Sequence, residues 1–518
     1  MNREQMLSQL SDKDNTFDIV VIGGGATGIG IALEASARNY SVLLLEQADF
    51  AKGTSSRSTK LIHGGVRYLA QGNIVLVKEA LKERGLIAAN APHLVKDLSF
   101  VIPTHNLWEE LKYTIGLKLY DWFAGKLSLG ASKRVTRSEA LKRITTFNPD
   151  KLSAGVVYHD AQFDDSRLAI NAVQTAAELG AVVINYCPVN SIVKDEGGKI
   201  VGVQCVDAET GVLYTVKAKQ VINAAGVFAD AVIQMDTPQA KNVITPSQGV
   251  HLVLDKHFLP GNDAIMIPKT DDGRVLFLVP WHDKVVVGTT DTPINSASLE
   301  PVALEEEIAF ILSTAARYLS KAPHQSDVLS VFAGLRPLAA ASGEGKTKEI
   351  SRSHKIIASQ SGLLTMVGGK WTTFRKMGED MLDAVEKRNG WKHIASKTAH
   401  LKIHGYSTQQ KEGDSLSFYG SDADEIRALA KQLSMEEVLS EDFGVLKVEV
   451  VWAVQQEMAR TVEDFLARRR RCQVLNAKES IQMASEVAKI MAAELGKDEH
   501  WQKQQVQQYM QVTKNYIL

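Results

Sequence analysis

The sequence predicts an α/β protein in which two domains exchange segments along the chain and a helical domain follows. Three observations predict it: a complete strand–turn–helix–strand unit at 17–46, an alternation of α/β and β-rich segments through the middle, and a loss of strand signals beyond about residue 400. Length agrees. At roughly 150 residues per domain, 518 residues make about three domains, enough to bury a core without staples.

Taken in order, FDIVVI (17–22) is an apolar run of strand length, and Gly23 to Gly28 form a tight turn. IGIALEASARN (29–39) is a helix of small residues and SVLLLE (41–46) a second, parallel strand. The stretch AKGTSSRSTKLIHGGVRYL (51–69) is too rich in Ser, Thr and Gly for a regular element, and 74–90 reads as a charged amphipathic helix. RLAINAVQTAAELG (167–180), AVVINY (181–186) and QVINAAG (220–226) continue the α/β character. GVHLVLD (249–255), RVLFLVPW (274–281) and KVVVGTTD (284–291) are β-rich. A last α/β piece, 362–388, joins a strand, a Gly-Gly turn and a helix. The oxidoreductase-like region thus spans 17–395, with dinucleotide-type segments near 17–100, 150–240 and 350–390. Substrate-type β segments fall near 100–150 and 240–350. KVEVVWAVQQEMARTVEDFLARRRR (447–471) reads as a long charged helix within a helical domain at 400–518.

Composition excludes several classes. With 45% hydrophobic and 23% charged residues the chain is an ordinary globular protein. A net charge of −1 gives no reason to expect nucleic acid. Cys187, Cys205 and Cys472 are isolated, so zinc ribbons, iron–sulfur ligation and a disulfide framework are not expected, and no metal is. The N-terminal residues show no apolar signal core and no run of about 18 apolar residues occurs. A reducing, cytoplasmic location is expected, compatible with lying on a membrane.

Gly23-x-Gly25-x-x-Gly28 carries the first chemistry. The first Gly permits the turn, the second lets backbone approach a pyrophosphate, and the third packs helix on strand, in a Rossmann-like arrangement. Glu46 ends the second strand, where a carboxylate accepts ribose hydroxyls, which argues against NADP but leaves FAD and NAD open. Thr54, Ser55, Ser56 and Lys60 supply hydroxyls and a cation downstream, and His63, Gly64 and Gly65 form a close-approach turn. With the late Gly368-Gly369 turn, this order resembles FAD flavoproteins of the D-amino-acid oxidase and glycine oxidase type. The resemblance implies a Rossmann-like FAD-binding domain interleaved with an antiparallel β-sheet substrate domain. It also implies that the strand ending at Ala225 and Gly226 returns beside the cofactor. The helix opened by Lys370 and Thr372 would face the flavin.

TSSRSTKLIHGGVRYL (54–69), DDSRL (164–168), PWHDKVVVGTTD (280–291), GLRPL (334–338) and GGKWTTFRK (368–376) sharpen this. Together they resemble the FAD-dependent, quinone-linked glycerol-3-phosphate dehydrogenase family over about 17–390, and 441–471 is similar to that family's helical cap. The resemblance implies oxidation of sn-glycerol 3-phosphate to dihydroxyacetone phosphate by hydride transfer to FAD. Electrons would pass to a membrane quinone, in glycerol and glycerophospholipid catabolism. It implies peripheral attachment to the cytoplasmic face of an inner membrane and is compatible with a homodimer. Arg67, Tyr68, Arg336, Arg352 and Lys370 match its phosphate and substrate contacts; a phosphate dianion needs several cations, preferably Arg forks. Arg336 and Lys370 would stabilise developing charge, and His63 and His251 are the candidates for the base, directly or through water. A glycerol-3-phosphate oxidase using oxygen, an amino-acid oxidase-like enzyme and a flavin-binding module without turnover are the alternatives.

Two segments have double readings. Helix 107–126 spaces Trp108, Leu111, Ile115, Leu119 and Trp122 as a stripe, with Lys112, Lys118 and Lys126 around them. An interfacial helix is one reading; a helix with this stripe facing the core is favoured. Arg468 to Arg471 could meet anionic lipid or complement a helix C-terminus. The family form usually has a Thr in this run.

Overall fold

The apolar strand Thr16–Ile22 sits at the centre of the first sheet, buried on both faces: helices Ala26–Ala37, Asp165–Glu178 and Phe374–Asn389 share a core with one, and Val203, Cys205 and Val216 of antiparallel strands share a core with the other. In this computed structural model residues 13, 67, 68, 70, 71, 271, 272, 341–353 and 410–412, and the side chain of residue 126, are not described. Strands Leu364–Val367, Leu213–Asn223, Thr16–Ile22, Val42–Leu45 and Val182–Ile184 run parallel in that order. An antiparallel edge strand, Lys355–Ala358, and a hairpin on Leu213–Asn223 complete the sheet. The switch between the outward and inward crossovers lies at Thr16–Ile22, above whose C-terminal end a ligand crevice is expected.

The second sheet lies beside it. Its long strands Ile244–Asp255 and Val328–Ala339 pair antiparallel from Ile244↔Ala339 to Leu254↔Val328, and Lys284–Gly288 and Leu276–Trp281 extend it. One pair departs from the antiparallel expectation: Ala264–Ile267 runs parallel to Val95–Thr104. The segment boundaries also differ from the sequence reading. Val95–Thr104 and Ala154–Phe163 pair with each other in this sheet, because Leu98, Phe100, Val156 and Tyr158 share one apolar cluster with Met266 and Val279.

The helical domain packs its own core around Phe465, Met483, Val487 and Tyr509, and docks through Val474, Leu475 and Tyr516 onto Val253, Trp281 and Phe332. The single helix expected over 447–471 is not there. Helix Val448–Glu457 stops at Met458, whose φ is 54°, a π-helical turn Asp464–Arg469 follows, and Arg471 is again left-handed at 63°.

That break turns the arginine run inward, which corrects both readings of it. Arg469 forks onto Asp49 at 2.6 and 3.0 Å, and Arg468 reaches Asp49 at 2.5 Å, Glu463 at 2.7 Å and Asp464 at 2.6 Å. Arg470 pairs with Glu449 at 3.1 Å and Arg471 with Asp165 at 3.1 Å. All four are buried. Burial alone would raise the Asp49 pKa, but Arg469 and Arg468 pull it down to about 2.

Helix Leu107–Ala124 is corrected in the opposite sense. It has two apolar stripes, and the core takes Tyr113, Leu117, Tyr120 and Ala124. Tyr120 decides the rotation: its hydroxyl donates to Asp160 at 2.8 Å and accepts from the Gly64 N–H at 2.8 Å. Trp108, Leu111, Ile115, Leu119 and Trp122 are therefore exposed, with Trp108 at 81% and Trp122 at 72%. Lys126 falls outside the described side chains. No helix among the described residues is long and apolar enough to cross a membrane.

Candidate active site

Where strand Thr16–Ile22 ends, the chain turns through Gly23 at φ 111° into helix Ala26–Ala37, with Gly25 as its N-cap. The turn is so tight that a Cβ on Gly28 would lie 1.8 Å from the Gly23 carbonyl oxygen. Ser55 reaches back to this helix start, its hydroxyl accepting from the Ala26 N–H at 2.8 Å. Glu46 accepts from the Gly24 N–H at 2.6 Å and the Ala48 N–H at 2.9 Å, and burial pushes its pKa up. Above this turn opens a cavity of about 440 Å³.

The cavity joins most of the predicted residues. Gly23, Gly25, Glu46, Thr54 and Ser55 line one part. Ala225 and Gly226 return beside it, and Gly368, Gly369, Lys370 and Thr372 close it from the start of the late helix. His63, His251 and Arg336 come from the loop and second sheet. A second cavity of about 200 Å³ adjoins it, sharing His63 and Arg336 and adding Gly65, Asp160 and Arg274.

Five predicted residues fall elsewhere. Gly28 lies beneath the turn as a packing residue, outside the cavity lining. Ser56 points its hydroxyl at the Gly53 carbonyl. Lys60 is no cofactor ligand: its ammonium is buried against Asp165 at 2.7 Å and the Ser56 carbonyl at 2.8 Å, and burial with Arg471 nearby lowers its pKa to about 7. Gly64 donates to Tyr120, and Gly65 lines the second cavity only. Arg67, Tyr68 and Arg352 lie outside the described residues.

The two histidines differ. His251 is buried, stacked on Phe332 at 4.8 Å, and its Nε2 meets the Thr59 hydroxyl at 2.9 Å. Burial first, then Lys60 and Arg336, hold its pKa well below the usual histidine value. A ring so placed stays neutral and is a weak base. His63 lines both cavities and is the better-placed group.

Arg336 is aimed by the sheet. It faces Ser247 across the register, and its guanidinium donates to the Thr290 carbonyl at 3.0 Å and the Thr289 hydroxyl at 3.2 Å, with Asp291 at 3.3 Å. Gly249 leaves it room, since a Cβ there would lie 2.3 Å from Nη2. Arg274 was missed from the sequence, as was Thr59. Arg274 heads a strand read only for its apolar residues, and nothing local separates it from a solvated charge.

A family model described as FAD dependent oxidoreductase matches residues 18–375, and one described as the C-terminal domain of alpha-glycerophosphate oxidase matches 364–503. A glycerol-3-phosphate dehydrogenase, mitochondrial, of Macaca fascicularis is 38% identical over 98% of this chain and 74% of its own. The structure of glycerol-3-phosphate dehydrogenase from Bacillus halodurans complexed with FAD superposes with a TM-score of 0.80 at 29% identity, covering 99% of this chain and 97% of that one. Glycine oxidase from Geobacillus kaustophilus shares the fold at TM-score 0.54 and 19% identity, covering 75% and 98%. The residues present fit FAD: Gly23 and Gly25 line the cavity at a helix N-terminus, which suits a pyrophosphate, and Glu46, on the same wall, keeps lone pairs for ribose hydroxyls. The chain belongs to the FAD-dependent glycerol-3-phosphate dehydrogenase family and is an oxidoreductase with FAD as its cofactor.

Proposed function

We propose that this site oxidises sn-glycerol 3-phosphate to dihydroxyacetone phosphate and that the electrons go on to a membrane quinone. The observation that carries the substrate is the pair Arg274 and Arg336 at the second cavity, with His63 between it and the cofactor cavity. Two guanidiniums suit a phosphate dianion, whereas a carboxylate needs one. Bound FAD supplies the two-electron acceptor for the C2 hydride. Gly23, Gly25, Glu46, Thr54 and Ser55 would hold its dinucleotide part, and Lys370 and Thr372 its ring end. Arg274 and Arg336 bind and orient the phosphate. His63 takes the C2 hydroxyl proton, and Phe100, Met266, Val275 and Phe277 keep water from the reacting carbon.

Arg336→Ala should lower turnover by on the order of 10³-fold while flavin stays bound; unchanged turnover would remove Arg336 from the site. Arg274→Met should raise KM by roughly 10- to 100-fold with a smaller change in kcat.

The quinone is supported by the exposed stripe of helix Leu107–Ala124. Two tryptophans, Leu111, Ile115 and exposed Lys112 and Lys118 suit an interface of anionic lipid, where a quinone dissolves. Ile74 and Val75 extend the exposed apolar surface. Turnover with a quinone analogue in the presence of vesicles, without peroxide, is expected. Stoichiometric peroxide under air with no quinone reduction would assign an oxidase instead.

A further inference from the structure

The loop 46–60 forms one wall of the cofactor cavity, yet little holds it from within. Phe50 is its one large apolar anchor; the rest is mainly Ser, Thr, Gly and charge. It lines the cavity through Glu46, Lys52, Thr54, Ser55, Ser58 and Thr59. It also touches the glycine turn, through the Ala51 N–H to the Gly24 carbonyl at 2.9 Å and through Ser55 to Ala26.

Thr54, Ser55, Arg57 and Thr59 are tied to Leu335, Trp371, Glu300 and His251, and a second set of restraints comes from the far end of the chain. Asp49, three residues after Glu46, receives the fork of Arg469 and Nε of Arg468. Lys52 meets Glu463 at 2.8 Å. Arg471 donates to the Ser56 carbonyl at 2.7 Å and pairs with Asp165. Asp165 in turn accepts from the Ser58 N–H at 3.1 Å, the Ser58 hydroxyl at 2.6 Å and Lys60. Arg57 meets the Tyr516 hydroxyl at 3.2 Å. Arg470, inside the same run, points the other way, to Glu449 and the carbonyls of Ser415, Phe443 and Gly444 in its own domain.

We propose that the C-terminal domain is a clamp on the cofactor loop, and that Arg468, Arg469 and Arg471 are positioning residues for FAD. Buried forked pairs fix direction as well as distance, and a loop ordered in advance costs the ligand less to bind. The clamp also gives the helical domain a function: cofactor retention at a site it does not itself line.

The experiment compares Arg469→Lys, Arg471→Lys, Glu463→Gln and Arg470→Lys in the full chain. Each apoprotein is titrated with FAD by fluorescence, and its thermal midpoint is measured without FAD. Arg469→Lys and Arg471→Lys should raise the FAD dissociation constant by about tenfold or more, and Glu463→Gln, nearer the surface, by roughly threefold. Arg470→Lys should lower the midpoint of the apoprotein and leave FAD affinity within about twofold. FAD binding as tight as the parent's in the first two variants overturns the clamp. So does an equal loss of affinity in Arg470→Lys, which would reduce the effect to general destabilisation. If a buried-arginine variant does not fold, Glu463→Gln decides alone, unchanged affinity counting against the proposal.

Discussion

Helix Leu107–Ala124 and the run Arg468–Arg471 reverse the usual places of apolar and charged side chains. The helix exposes Trp108, Ile115 and Trp122, while Arg469 is wholly buried. Partners decide both cases. The arginines can enter the interior because Asp49, Asp165, Glu449, Glu457, Glu463 and Asp464 are there to receive them. A buried guanidinium without a carboxylate would be prohibitively costly. The stripe is left exposed because the helix turns its other face, through Tyr113, Leu117 and Tyr120, to the core. The lesson is that polarity states what a residue needs, and the rest of the molecule determines where the need is met.

The comparison breaks first at the arginines. Arg468→Met strands Asp49, Glu463 and Asp464 around one fewer cation and should cost about 3–5 kcal/mol in urea unfolding; a loss under about 1 kcal/mol would mean that the run is not what joins the domains. At the other region, Trp108→Ala with Trp122→Ala should weaken binding to anionic vesicles by roughly 10- to 100-fold and leave detergent-free turnover in solution intact. Vesicle affinity equal to the parent's would leave the stripe without a membrane role.

A smaller effect sharpens the first region. His404 sits between Asp422 at 2.7 Å and Glu178, joining the C-terminal part to helix Asp165–Glu178. Burial alone would lower its pKa, but Asp422 and Glu178 carry it up to about 9. A histidine raised above its unfolded value of about 6.5 stabilises fully below that pH, and its contribution fades as pH rises through 9. His404→Gln should therefore remove about 1–2 kcal/mol at pH 6 and almost nothing at pH 10. A pH-independent difference would contradict a charged histidine there.

Local features were readable in advance and distant ones were not. Gly23 to Glu46 needs only one strand, one turn and the next strand, so its spacing carried its geometry. The order of glycine turns brought Gly226 and Gly368 to one cavity because each follows a parallel strand of the same sheet. Lys60 misled because its direction depends on Asp165, 105 residues later, and on its own φ of 64°. The partner of Arg469 lies 420 residues away at Asp49, beyond any local pattern. For helix Leu107–Ala124 periodicity showed both apolar stripes in outline, but only the Tyr120 link to Asp160 and Gly64 decides which one turns inward.

The most direct test is an anaerobic titration of the yellow holoenzyme with sn-glycerol 3-phosphate, followed in the visible flavin band and repeated with several amino acids. Stoichiometric bleaching by sn-glycerol 3-phosphate, abolished in Arg336→Ala with flavin still bound, is the predicted result. An unbleached flavin with that substrate, or bleaching by an amino acid instead, would contradict the account.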